Sequence, residues 1–133
     1  MKKFIINFAI LAFIFIGLCS VSKASIPIDF HVIIIADSCS GTWTGDYCVQ
    51  VYILHGSTHY CVYTECGLTV GVDKEISYSC TNLNSIDSNP DYSICIKVCR
   101  NEIHPTCCGS NCANGLYIGE ISDGSQTIPV ILH

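Results

Sequence analysis

Ten cysteines lie between residues 39 and 112: Cys39, Cys48, Cys61, Cys66, Cys80, Cys95, Cys99, Cys107, Cys108 and Cys112. Five of them fall in the stretch YSICIKVCRNEIHPTCCGSNC, from Tyr92 to Cys112, a density that suits a zinc site, a redox centre or a set of disulfides. The compartment decides between these chemistries, because thiolates hold metal in reducing surroundings and become covalent bridges in oxidising ones. No Cys-x-x-Cys occurs anywhere in the chain, which removes the thioredoxin-type redox pair. The intervals from Cys95 to Cys99 and from Cys108 to Cys112 each hold three residues, not the tight repeated knuckles of a zinc module.

The N-terminus settles the compartment. Lys2 and Lys3 precede an apolar run from Phe4 to Leu18, broken only by Asn7, and Ser22-Lys23-Ala24 supplies a small-residue exit. This is the pattern of a secretory signal peptide, with cleavage expected after Ala24. The run falls short of the roughly 20 apolar residues of a membrane span. A lipoprotein reading would acylate Cys19, but the residue before it, Leu18, is not small. Ten cysteines then remain in residues 25–133, an even number and more than about 8 per cent of a short secreted chain, which is the composition of a disulfide scaffold. Up to five bridges are expected, among about 945 full pairings.

Removal of residues 1–24 leaves Lys74, Lys97 and Arg100 against eleven Asp and Glu, a net charge of −8. Such a surface lacks the basic footprint needed for nucleic acid or anionic lipid, so no nucleic-acid partner is expected and a membrane partner is disfavoured. The remaining 109 residues suffice for one domain.

The elements that must position these residues read as strands. Val, Ile, Tyr and Thr are frequent, no 3.6-residue apolar period is sustained, and Gly, Asn, Asp, Ser and Pro break the chain at short intervals. Strands are expected at Ile28–Ala36, Tyr47–Leu54, His59–Thr64, Glu75–Cys80, Tyr92–Cys99, Leu116–Ile121 and Thr127–Leu132. In the first, Ile28, Phe30, Val32, Ile34 and Ala36 share one face, and the second half is apolar on both faces, as for a strand within a packed sandwich. Seven such strands point to an all-β, disulfide-rich antiparallel sandwich of about seven or eight strands. On a strand, Cys95 and Cys99 lie on one face roughly 13 Å apart, and a disulfide needs Cα atoms within about 7 Å, so they do not pair. Cys107 and Cys108 are neighbours and each reaches a different partner.

The order of these pieces resembles a C2 domain. HVIIIADSCSGTWTGDYCVQVYI, from His31 to Ile53, resembles the family's opening strand, first loop and Asp-x-Tyr-Val-x-Val strand; CIKVCRNE followed by LYIGEI, and then Ile128 to Leu132, resemble its closing strands. The resemblance implies an eight-stranded antiparallel sandwich with three calcium- and membrane-binding loops, here Asp37–Asp46, Glu65–Asp73 and Cys99–Asn114. Only Asp37 and Asp46 fall near the family's calcium positions, and Arg100, Asn101 and Glu102 stand where paired aspartates belong. Calcium needs six to eight oxygen ligands, so it is disfavoured and no metal or other cofactor is expected. The mapping places Cys39, Cys48, Cys66, Cys99, Cys107, Cys108 and Cys112 at the loop rim, with bridges replacing calcium there, and sets Cys80 and Cys95 at the opposite end as a pair.

Other sequence features carry ordinary readings. Asp87-Ser88-Asn89-Pro90-Asp91 starts like a calcium loop but lacks its glycine and its bidentate Glu, and reads as a turn. His55 and His59 flank a Gly-containing hairpin with no third ligand and read as hairpin residues rather than a metal pair. No Gly-x-Ser-x-Gly elbow, His-Glu-x-x-His or phosphate loop is present, and the only catalytic alternative is a pair of carboxylates that meets in space. Trp43, the sole tryptophan, either caps the end of the sandwich or anchors a partner. The expectation is a secreted, non-catalytic binding, adhesion or structural module for an extracellular protein or glycan, with Trp43, Asp37, Asp46, Arg100 and Glu102 on its contact rim. The alternatives are a calcium-dependent C2-type membrane module and an unrecognised hydrolase.

Overall fold

The computed structural model describes residues 25–83 and 90–133. The expected leader with Cys19, and Asp87, Ser88 and Asn89 of the turn, lie outside these residues. Seven strands and one short helix follow in the order β1 (Ile26–Asp37), β2 (Tyr47–His55), β3 (Thr58–Leu68), β4 (Asp73–Cys80), β5 (Tyr92–Arg100), β6 (Cys108–Leu116), α1 (Ile118–Ser122) and β7 (Thr127–Leu132). They form two sheets, β4-β1-β7 and β3-β2-β5-β6. Every pairing is antiparallel except β1 with β7, which is parallel. The seven strands among the described residues form the two-sheet sandwich expected from the sequence, with one pairing, β1 with β7, parallel rather than antiparallel.

Alternation builds the core. Ile28, Phe30, Val32 and Ile34 of β1 face Val49, Val51 and Ile53 of β2 and Ile94, Ile96 and Val98 of β5, all at most 1 % exposed, with Ile76, Ile128 and Leu132 closing the layer. Each buried aliphatic side chain contributes roughly 1.5–3 kcal/mol over its exposed state. The outer face of β1 is less covered than expected: among the described residues the inner face packs into the core, whereas on the outer face Ile33 is half-buried and Ile35 is 55 % exposed.

Three boundaries differ from the sequence reading. Cys108–Leu116, assigned to the third loop, is strand β6, and that loop shrinks to residues 101–107. Cys-Gly-Ser-Asn-Cys-Ala-Asn-Gly has little strand propensity of its own. Its register against β5, from Cys99 opposite Cys108 to Tyr92 opposite Leu116, is what holds it extended. The expected strand Leu116–Ile121 is the end of β6 followed by α1. Gly115, at φ +71°, lies in a register shift near the end of β6, the Glu120 carboxylate accepts the Tyr117 N–H at 2.7 Å just beyond it, and Ile121 turns into the core. β3 extends well beyond His59–Thr64, and its register against β2 shifts at Cys61, where φ is +55°.

The two open sides of the sandwich are closed differently. Along β3 and β4 the Tyr63 and Tyr78 rings stack at 4.6 Å, the Tyr78 hydroxyl donates to the Cys61 carbonyl, and a disulfide joins Cys61 to Cys80. Along β6 and β7 the backbones touch: the His133 N–H donates to the Cys108 carbonyl at 3.0 Å, and a Cβ at Gly109 would overlap the Ile131 carbonyl. Glycine is required there because only a bare Cα permits that approach.

Candidate functional site

Strand direction gathers one end of the molecule. β1, β5 and β7 finish where β2 and β6 begin, so Asp37 lies opposite Leu132 and Tyr47 opposite Arg100. The loops 38–46 and 101–107 therefore sit side by side, and the Cys39–Cys107 bridge joins them across 68 residues of chain with Cα atoms 6.0 Å apart.

Beneath that bridge, Asp37 and Arg100 form an ion pair whose side chains are only 10 % and 11 % exposed. Arg100 donates twice, from Nε to Oδ2 at 2.8 Å and from an Nη to Oδ1 at 3.1 Å, the bidentate geometry that a guanidinium supplies and an ammonium cannot. The Tyr47 hydroxyl donates to Oδ2 at 2.7 Å and the Cys39 N–H to Oδ1 at 3.1 Å. Four donors saturate the carboxylate. The Arg100 hydrogen bonds hold the Asp37 carboxyl below the usual carboxylate range, against the opposing effect of burial. Burial, followed by the hydrogen bond to Asp37, pushes the Tyr47 phenol up, and the hydrogen bond to Asp37 raises Arg100. Asp37, Cys39 and Cys107 converge in one spot, a trio of metal-ligand types, but both sulfurs are spent in their mutual bond and offer no thiolate.

Trp43 is half-buried against the core, donates from Nε1 to the Asp46 carbonyl at 3.3 Å, and lies with its ring centroid 5.4 Å beneath the Arg100 guanidinium carbon. That stacking is a cation–π contact. Asp46 is engaged twice by Asn101, whose side-chain amide donates to Oδ1 and whose N–H donates to the carbonyl, both at 3.0 Å. The structure thus brings Asp37, Trp43, Asp46 and Arg100 into one network, with Glu102 in the adjoining loop, its N–H turned back onto the Arg100 carbonyl. His55 and His59 do not converge: His55 stacks on Tyr92 and His59 packs on Tyr52.

Two features were not read from the sequence. The Asp37–Arg100 pair joins residues 63 apart with no local signal. Ile103, at the tip of the 101–107 loop, is 93 % exposed. Its signal was an isolated aliphatic residue in the non-periodic segment Asn101-Glu102-Ile103-His104-Pro105, where no alternation directs it inward.

All ten cysteines of the described residues are paired. Cys48 with Cys66, Cys95 with Cys112 and Cys99 with Cys108 bridge directly opposed residues of neighbouring strands in the four-stranded sheet, with Cα atoms 4.0 to 4.1 Å apart. Cys61–Cys80 joins the two sheets and Cys39–Cys107 joins the rim loops. The expected Cys80–Cys95 bridge does not form. Cys95 faces out of the four-stranded sheet opposite Cys112, whereas Cys80 ends β4 in the other sheet, and the register shift in β3 presents Cys61 to it. Cys112, expected at the rim, lies four residues along β6 from Cys108.

The molecule is thus a disulfide-stapled two-sheet β-sandwich with one covalently fixed loop rim. No family model, no curated protein and no solved structure matches the chain. Five bridges are the chemistry of an oxidising compartment, and no helix among the described residues is long and apolar enough to cross a membrane.

Proposed function

We propose that the protein is a secreted, non-catalytic binding module that presents the loop rim to an extracellular protein partner. The observation carrying this reading is Ile103, 93 % exposed on a loop anchored at its ends by the Arg100–Asp37 pair and the Cys107 bridge. An aliphatic side chain held out on a pre-organised loop favours association, because little loop entropy is lost on binding. An aliphatic anchor fits an apolar pocket on a protein better than the hydroxylated surface of a glycan.

Trp43 and Arg100 act from below, as the support that sets the loop height. Non-catalytic action is supported by Asp37, the most buried carboxylate of the rim, whose four donors and lowered pKa make it a poor proton carrier near neutral pH. Calcium at the rim would have to displace a bidentate guanidinium from Asp37, which supports a calcium-independent mode over the C2-type one.

The test is a screen of the disulfide-bonded protein, with and without Ile103→Asp, against arrayed extracellular proteins and glycans in millimolar calcium or chelator. A saturable protein hit lost in Ile103→Asp, with unchanged Tm and no calcium requirement, is the expected result. Binding that survives the substitution, binding to glycans alone, or a Tm that rises with calcium would overturn the reading.

A further inference from the structure

Outside the β6/β7 seam, next to the rim, lies an open groove of about 530 Å³ lined in part by Ile35, Lys97, Asn111, Pro129, Ile131 and His133. The volume falls within the roughly 300–1,000 Å³ of small-molecule sites. Three observations limit what it can hold.

The first is apolar surface that the fold leaves open. Ile35 is 55 % and Ile131 43 % exposed, and they lie on the uncovered face of β1 and β7 with Pro129 two residues before Ile131. The second is charge. Of the three cations in residues 25–133, Lys74 pairs with Glu65 at 2.8 Å and Arg100 with Asp37 at 2.8 Å. Lys97 has no carboxylate partner within 4.0 Å among the described residues, and no side chain lining the groove is acidic. In a domain of net charge −8 this is one concave place where a cation is open beside apolar side chains.

The third is that the backbone here cannot accept an added strand. Pro129 has no N–H, and its carbonyl already accepts the Asn111 side-chain amide at 2.7 Å. The His133 N–H is bonded to the Cys108 carbonyl, and the Ile131 carbonyl is pressed against Gly109. β-Strand addition needs a ladder of free donors and acceptors, which this edge lacks.

We propose that the groove binds a small amphiphile with an anionic head group, its chain lying on Ile35, Pro129 and Ile131 and its head at the Lys97 ammonium. The site is separate from Ile103 and its occupancy does not depend on a rim partner. The negative field of the rest of the domain opposes an anion only within about a Debye length, so affinity is set by the local apolar contact and by Lys97.

Decanoate, kept below its micelle concentration, is the probe, with decyl sulfate, decanol and decyltrimethylammonium as comparisons, read by amide chemical shifts and calorimetry. Saturable shifts at Ile35, Lys97 and Ile131 are expected with decanoate and decyl sulfate, with decanol about fivefold weaker and the cation weaker still. Lys97→Gln, an exposed substitution, is expected to weaken decanoate about fivefold and leave decanol unchanged. Ile131→Asp should abolish both; Ile35→Ser serves the same purpose if that variant fails to fold. Absence of saturable decanoate binding, equal binding of the cation, shifts spread through the core, or affinity unchanged by Lys97→Gln would overturn the proposal.

Discussion

The two sheets reach the same packed state by different means. In β4-β1-β7, Ile28, Phe30, Val32, Ile34, Ile76, Ile128 and Leu132 bury almost completely, and no disulfide joins strands within the sheet. In β3-β2-β5-β6 the inner strands are equally apolar, but the edge strands β3 and β6 are poor in buried side chains, and three cross-strand disulfides tie them to β2 and β5. β6 buries only Leu116 and carries Gly, Ser and Asn at most other positions. Where a strand contributes apolar surface, burial holds it. Where it does not, a covalent link reduces the entropy of the alternative instead.

The strongest way to break this comparison is to remove the links from β6. The double variant Cys95→Ser, Cys112→Ser opens a bridge between residues 17 apart and is expected to cost about 3 kcal/mol, a Tm fall of roughly 13 °C. Hydrogen exchange should accelerate in β6 while the amides of β1 stay protected. Equal loss in both sheets would mean that the bridge holds the whole core and that the contrast is false.

A smaller effect is expected from the seam between the sheets. Gly109→Ala forces a methyl group against the Ile131 carbonyl and should cost about 1–3 kcal/mol, read by chemical denaturation, with the loss concentrated in contacts of β6 with β7. The corresponding seam at β3 and β4, held by Cys61–Cys80 and stacked tyrosines, should be unaffected.

The smallest change sharpens the role of the rim. Asp37→Asn removes the charge that Arg100 meets and should lower Tm by about 5 °C at pH 7. The folded Asp37 pKa lies below its unfolded value, so its stabilisation is fully present above the ordinary carboxylate range and is lost as pH falls through the lowered folded value. The Tm difference between wild type and Asp37→Asn should therefore hold steady from pH 7 to about 5 and shrink below about 4. A difference that is constant through the acid range would show that the carboxylate is not held by its charge.

What was legible in the sequence was local. Alternation placed β1, β2, β5 and β7 because a period of two is written along each strand by the side chains that must turn inward. The even cysteine count and the leader pattern pointed to bridges over metal, and neighbouring Cys107 and Cys108 could be assigned to different partners before those partners, Cys39 and Cys99, were known. Tertiary structure decided what depends on register between distant segments. It made a strand of the Gly- and Asn-rich β6, turned Tyr117 to Ser122 into a helical turn, sent Cys80 to Cys61 rather than Cys95, and set Arg100 on Asp37. The helical turn has local support in the Glu120 carboxylate on the Tyr117 N–H, but the other three exist only once two pieces of chain, separated by 9 to 68 residues in the case of the bridges, are fixed side by side.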